Sequence, residues 1–473
     1  MVSAGYTAGV MREDRAKANS QMGQHAYLTR FWNELTDEER KRLLEQFKSF
    51  KISEFTKMFE QTFEPDVKNN DIVPIDMDHY AVAENIEPEQ MKQYWDAASV
   101  KNKLTFSLPY TSDLFLFKGL TAIAAGEVAV VVLAGGQATR LGAKQPKGTV
   151  SLGFNVKNVA DSLFAFQAAR IARLQDLAEA KEIVPAAGLT MSQVIVIKQG
   201  TVPCFDPKGC LFLATKSSIA VSPDGNGGIL RALEPYQYFC RSNNIKYFHV
   251  YSVDNVLCRV GDPHFIGYCI KEEADCAAKV IEKIEPFENL GVICKAPSGI
   301  QVLEYSEIAD ELATARDQTG RLRFRAGNIA NHFFTYDFFE RVWYADGLLP
   351  YHRAFKKIPY IDRTTGELVD PEKENGYKLE LFIFDLFKFS ENFRVWQVNR
   401  AQEYSPLKNA DSAGKECMST CRRDYYAECK RWLENAGVQV QCDRPIFIHP
   451  SFSYAGEELE CYREEPLTAD LAP

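Results

Sequence analysis

The chain has 473 residues, 46% of them hydrophobic, and a formal net charge of −9. That length supports a sizeable core and two or three domains. Acidity without a block of Lys and Arg argues against a nucleic-acid partner, and no apolar run nears the ~20 residues that a membrane helix needs.

The twelve cysteines are scattered without a CxxC pair, and the seven histidines do not cluster. Cys417 and Cys421 lie four apart with no His between them. Reduced thiols in a cytoplasmic protein are therefore expected, and a structural zinc site is not. The segment before His25 is polar and small, without the apolar centre of a signal peptide.

In chain order, residues 1–26 read as disordered. From 28 to about 60, Phe31, Trp32, Leu35, Leu43, Leu44 and Phe47 recur mostly at helical spacing. Thr36, before Asp37, Glu38 and Glu39, suits an N-cap with an acidic first turn. This arm is expected to continue loosely to about 116, and a first domain over 1–118 serves packing rather than chemistry. A central domain, 119–400, alternates strands (128–133, 194–197, 245–253, 277–284, 292–294) with helical stretches (160–180, 229–240). The order predicts an α/β fold, a three-layer α/β/α arrangement around a mostly parallel sheet. Ligands then gather at the carboxyl ends of strands. A small C-terminal domain, 401–473, is expected to hold a helix at 418–435, short strands near 438–440 and 445–449, and a frayed end from 464.

The stretch 128–153 is the most informative. A β-branched run empties into Gly135 and Gly136, followed by Arg140, Gly142, Lys147 and Gly148, with no acidic residue from Ala129 to Gly153. A strand that opens into a glycine-rich cationic loop suits phosphate. Neither GxxxxGK[ST] nor GxGxxG fits, which argues against a P-loop ATPase or a Rossmann dehydrogenase. A second glycine-rich loop, 222–228, precedes a helix and is a candidate backbone clamp for a flat ring through Gly225 and Asn226. Asp254 ends a predicted strand. One carboxylate plus substrate phosphates is how proteins commonly hold Mg²⁺, although an Asp there can equally cap the next turn. Glu304 and Tyr305 end another strand. Asn328 and Asn331 offer amides for sugar hydroxyls or a helix cap, and small Ala330 leaves room for an acyl substituent. Lys378 precedes an apolar run, 379–387, that reads as a buried helix. Lys408 sits in SPLKNAD. Lysines are ordinarily solvated; only a substrate rich in phosphate gives these two a role.

Leu133, Gly135, Gly136, Thr139, Arg140, Leu141, Gly142, Pro146 and Lys147 together resemble the signature of the eukaryotic UDP-sugar pyrophosphorylases. PDGNGG (223–228), VDN (253–255), EYSE (304–307), GNIANHFF (327–334), SPLKNADS (405–412) and SYAGE (453–457) follow in order and resemble the UDP-N-acetylhexosamine pyrophosphorylases. GNIANHFF and SPLKNADS favour them over the UDP-glucose enzymes. Ala138 stands where the family usually has glycine, and Leu381 where lysine is frequent.

The resemblance implies the nucleotide-diphospho-sugar transferase fold, which is Rossmann-like. It also implies a reaction in which N-acetylglucosamine 1-phosphate attacks the α-phosphorus of UTP, giving UDP-N-acetylglucosamine and pyrophosphate, with Mg²⁺ or another divalent cation. Leu133, Ala134, Gly135, Gly136, Gln199 and Gly225 would hold the uracil. Arg140 and Lys147 would face the departing pyrophosphate, and Asp254 would serve the metal and phosphates. Asn226, Glu304, Tyr305 and Asn328 would contact the sugar, and Lys378 and Lys408 the product's phosphates. The rivals are a UDP-glucose or broad-specificity UDP-sugar pyrophosphorylase and an inactive UDP-sugar-binding regulator. Neither the sugar epimer nor the oligomeric state is legible in the sequence.

Overall fold

The computed structural model describes residues 23–63, 71–87, 90–91, 119–135, 141–142, 145–157, 159–179, 193–343 and 349–472. The expected disorder of 1–22, the end of the arm over 92–118, and Gly136, Ala138, Thr139 and Arg140 of the cationic loop lie outside them. The chain forms two compact units. One takes Met1–Lys68, Ile197–Glu234 and Ala345–Leu386; the other takes Asn69–Val196, Pro235–Tyr344 and Phe387–Pro473.

In the first unit, a 3₁₀ turn, Gly23–Thr29, leads to helices α1 (Asp37–Ser49) and α2 (Ile52–Gln61). Thr36 caps α1 as predicted. Its hydroxyl accepts the Glu39 N–H at 3.3 Å, and Glu39 Oε2 accepts the Thr36 N–H at 2.8 Å, a reciprocal capping box. Leu28, Phe31, Ile52 and Phe59 pack into one core with Phe205, Leu211, Leu213, Ile361, Leu379 and Leu381. Order begins earlier than expected: His25 is buried, 3.1 Å from Thr56 Oγ1.

The apolar run expected as a helix over 379–387 is instead the end of a strand, Gly376–Glu380, paired antiparallel with His352–Lys356, and then a 3₁₀ turn, Ile383–Phe389. The cause is backbone competition. Leu381 N–H donates to Asp224 O at 2.7 Å and Leu381 O accepts from Gly227 N–H at 2.8 Å, so neither group is available to a helix. The helix expected at 229–240 breaks into Ile229–Leu233, a 3₁₀ turn Glu234–Tyr236, and Gln237–Ser242. Pro235 offers no N–H to a continuous helix.

The second unit is built on a nine-stranded sheet. Its strands are β1 (Val73–Pro74), β2 (Tyr80–Val82), β3 (Val128–Leu133), β4 (Tyr247–Ser252), β5 (Cys276–Glu282), β6 (Val292–Ala296), β7 (Gly299–Leu303), β8 (Ala326–Thr335) and β9 (Phe393–Gln397). β3 pairs parallel with β4, β9 with β5, and β2 with β9. β8 runs antiparallel to β4 and β5, and β6 is antiparallel to β8, β1 and β7. Most strands thus share one direction, with a reversed strand at the centre. β8 carries a register shift between Asn328 and His332, where Ala330 adopts φ 53°. That bulge re-aims the side chains around it.

β1 and β2 fall where the sequence suggested more of the helical arm. Conversely, 194–197 forms no strand; Val196 is 87% exposed. β-Propensity without a ladder partner does not make a strand. Helices α3 (Leu163–Glu179), α4 (Pro263–Lys271) and α5 (Met418–Asn435) cover the sheet unit's cores. Phe265, Ile266 and Cys269 of α4 pack with Ala277, Phe333 and Trp396. Cys421, Tyr425, Cys429 and Trp432 of α5 pack with Phe154, Phe166, Leu407 and Phe447. The expected short strands after α5 reduce to single bridges, Val440 to Leu467 and Ile448 to Leu471. Those bridges also pin the end expected to fray: Leu471 is buried, and Asp470 accepts the Phe447 N–H at 2.8 Å. All twelve cysteines are free. Among the described residues no helix is long and apolar enough to cross a membrane.

Candidate active site

β3 and β4 end together, with Leu133 opposite Ser252. Val253 N–H donates to Leu133 O at 3.2 Å, so Ala134 and Gly135 leave the sheet beside Asp254. Lys147 follows Pro146 and opens a 3₁₀ turn, Lys147–Thr149. Its Nζ lies 2.8 Å from Asp254 Oδ2, with both side chains largely buried. Leu407 N–H donates to Asp254 O at 2.9 Å, which brings the next residue, Lys408, to the same place. Lys408 Nζ donates to Tyr404 Oη at 3.1 Å and lies 3.5 Å from Glu416 Oε1. Burial acts against the charge of Lys408, but Tyr404, Glu416 and Asp254 outweigh it and hold its pKa above the ordinary lysine value. The result is an ammonium group paired with Asp254 and a second, Lys408, held on the neighbouring segment by Tyr404 and Glu416, where parallel strands end.

Asp254 Oδ1 takes no hydrogen bond from a described residue, and no described group of three or more His, Cys, Asp and Glu could chelate a metal. One carboxylate oxygen left for a cation fits Mg²⁺ completed by substrate phosphates and water, and does not fit a dedicated protein cage.

Glu304 and Asn328 meet through Gly291. Asn328 N–H donates to Gly291 O at 2.9 Å, and a Cβ on Gly291 would stand 2.8 Å from Glu304 Oε1. Tyr305, next to Glu304, is exposed. Asn328 Oδ1 accepts the Ala330 N–H at 3.2 Å and lies 3.1 Å from His332 Nε2. Asn331 serves the interior instead, its Oδ1 2.7 Å from His249 Nε2. Burial pushes His249 down to about 4 and His332 down to about 3, so both rings are neutral at pH 7.

The first unit carries Gln199, Gly225, Asn226 and Lys378. Gln199 Nε2 donates to Gly225 O at 2.7 Å, and Asn226 Oδ1 accepts the Ile383 N–H at 2.9 Å. Gly225 has φ 89°, and a Cβ there would collide with the backbone of Leu381. Leu381 itself is a core residue, 3% exposed. A lysine at that point in this fold would bury its stem among apolar groups. Lys378 lies half-buried on Gly376–Glu380 and makes no ion pair with a described residue.

Several groups escaped the sequence reading. His352 Nε2 lies 3.0 Å from Asp385 Oδ2 with its ring 4.4 Å from that of Phe382. Asp224 is buried, its Oδ1 without a hydrogen-bond partner among the described residues, and burial raises its pKa. Tyr404 and Asn255 flank Lys408 and Asp254. These pairs lie far apart in the chain or look like ordinary polar residues, and no local pattern marks them. The D-N step of VDN is the one signal that could have drawn notice to Asn255.

Residues 119–428 match the UDPGP family, described as UTP–glucose-1-phosphate uridylyltransferase. The chain belongs to this family. A relative named "Probable UDP-N-acetylglucosamine pyrophosphorylase" from Caenorhabditis elegans is 39% identical over 470 residues, covering 93% of each chain. The "UDP-N-acetylglucosamine pyrophosphorylase" of Saccharomyces cerevisiae is 40% identical over 376 residues, 73% of this chain and 78% of that one. Among solved structures, the uridine diphosphate N-acetylglucosamine pyrophosphorylase of Trypanosoma brucei is similar with TM-score 0.77 and 25% identity, over 97% of this chain and 98% of that one.

Proposed function

We propose that this protein is a UTP:N-acetylglucosamine-1-phosphate uridylyltransferase. The observation that carries the reading is the Lys147–Asp254 pair where β3 and β4 end, with the segment that carries Lys408 hydrogen-bonded to the Asp254 backbone. An oxygen of the sugar phosphate attacks the α-phosphorus of UTP, the bond from that phosphorus to the bridging oxygen breaks, and pyrophosphate leaves. The nucleophile is already anionic, so no general base is required, and no covalent enzyme intermediate forms. Catalysis is then alignment and charge neutralisation.

Lys147 and Arg140 face the departing pyrophosphate. Lys408 and Lys378 hold the phosphates that stay with the product. Leu133, Ala134, Gly135, Gly136, Gln199 and Gly225 hold the uracil; Asn226, Glu304, Tyr305 and Asn328 contact the sugar. Asp254 would hold a divalent cation, Mg²⁺ by its donor chemistry, which supplies further positive charge to the phosphates. The names of the relatives support the acetylated sugar over glucose. Free thiols throughout support a reducing, cytoplasmic setting.

The test is pyrophosphate release from UTP and Mg²⁺ with N-acetylglucosamine 1-phosphate against glucose 1-phosphate. A preference of ~100-fold or more for the acetylated sugar is expected. Equal release moves the protein to the broad-specificity class, and binding of UTP without release of pyrophosphate makes it a regulator.

A further inference from the structure

We propose that Asn255 is a positioning residue that fixes the segment carrying Lys408 beside the Asp254 turn; the inference rests on the uridylyltransferase reading above. Asn255 follows Asp254 directly and is 3% exposed. Its Oδ1 accepts the Ser405 N–H at 2.9 Å and the Leu257 N–H at 3.2 Å, and its Nδ2 donates to Glu403 O at 2.7 Å. One side chain thereby satisfies three backbone groups on the segment leading to Lys408 and on its own turn.

The arrangement compensates for a proline. Residues 254–257 and 405–407 lie antiparallel, with Asn255 opposite Pro406. Val256 N–H donates to Ser405 O at 3.1 Å and Leu407 N–H to Asp254 O at 2.9 Å. Pro406 has no N–H of its own to give, and the Asn255 amide supplies bonds just before it. Glu403, whose carbonyl Asn255 holds, is itself anchored: its Oε2 lies 2.5 Å from Nζ of fully buried Lys279, which also holds Asp262 Oδ2 at 2.5 Å. Burial acts against the Lys279 charge, and Asp262 and Glu403 together outweigh it. The chain from Glu403 to Leu407 is fixed at both ends, and Lys408 is the first residue beyond.

Asparagine is the side chain that fits. Aspartate keeps the two acceptor bonds and cannot donate to Glu403 O. Alanine leaves three backbone groups unpaired in a dry place. Loss of the clamp lets Lys408 drift relative to Asp254, and a misplacement of ~1 Å at a charged site can cost ~100-fold in rate.

The test is a double-mutant cycle in the full-length protein, measured by pyrophosphate release over a range of substrate concentrations up to saturation, well below the melting temperature. Asn255→Ala is expected to lower kcat ~30-fold or more, within the cost of such misplacement, with smaller changes in KM. Asn255→Asp is expected to recover part of the loss. The discriminating readout is Asn255→Ala combined with Lys408→Ala, which is expected to be no slower than Lys408→Ala alone. Losses that multiply, or an Asn255→Ala kcat within twofold of the parent, overturn the proposal. If Asn255→Ala does not fold, Asn255→Asp enters the same cycle with the same criterion. If Lys408→Ala alone keeps full kcat, the assigned role of Lys408 falls, and the positioning role with it. A normal Asn255→Ala beside a slow Lys408→Ala overturns the positioning role alone.

Discussion

Lys147 Nζ sits 2.8 Å from Asp254 Oδ2, with both side chains largely withdrawn from solvent. Breaking such a pair leaves a charge without its partner in a poorly hydrated place, so each residue depends on the other. Asp254→Asn keeps the shape and removes the charge. It is expected to lower kcat by ~100-fold or more, to lower the melting temperature because Lys147 keeps its charge without a partner, and to raise the Mg²⁺ concentration needed for half-maximal rate. An unchanged Mg²⁺ requirement would count against the metal role of Asp254.

Gly225→Ala tests the first unit's loop. Positive φ costs a Cβ-bearing residue about 1 kcal/mol, and the collision with the Leu381 backbone adds more. The expected outcome is at least a ~10-fold rise in KM for UTP, because the loop must move off Leu381. Steady-state kinetics with the sugar phosphate held saturating measure it, and a parental KM for UTP would remove Gly225 from the uracil site.

Glu304 and Asn328 share one neighbour, Gly291, and predict a selective defect. Asn328→Ala is expected to raise the KM for N-acetylglucosamine 1-phosphate by ~10-fold, the loss of roughly one good hydrogen bond to substrate. The KM for UTP should stay within about twofold. A rise for UTP alone would reassign the residue.

The buried histidines set a pH dependence of stability. His249 is held at about 4 and His332 at about 3 in the folded chain, against 6.5 as the ordinary value. Between pH 6.5 and 5 the unfolded chain therefore binds more protons than the folded one, and stability rises with pH. On acidification each ring removes about 1.4 kcal/mol per pH unit below 6.5. Melting temperature is expected to fall from pH 7 to 5, and His332→Phe to show a shallower fall. An equal slope in the variant would refute the assignment for His332.

The sequence was most legible where chemistry and periodicity are local. β3, β4 and α5 follow from apolar runs and helical spacing, and the cap at Thr36 from three acidic neighbours. The features that escaped are made by long-range backbone pairing. The reversal of β8 depends on which strands flank it. The strand ending at Glu380 depends on residues 224–227 claiming both backbone groups of Leu381. The pinned C-terminal end depends on single bridges to residues 440 and 448. On the site, the strand-end position of Asp254 was legible because it closes an apolar run rich in aromatic residues, 245–253. The pairing of His352 with Asp385 and the amide clamp of Asn255 join residues that no spacing rule connects.

The first unit's core joins Leu28 and Phe31 to Leu379 and Leu381. During synthesis those N-terminal side chains leave the ribosome long before Ile361, Leu379 and Leu381, the partners that complete their core. The core stays incomplete until late in translation, a state that favours misassociation and chaperone capture. Fragments that stop short of Leu381 inherit the same incomplete core, which makes solubility, before activity, the property that truncation destroys.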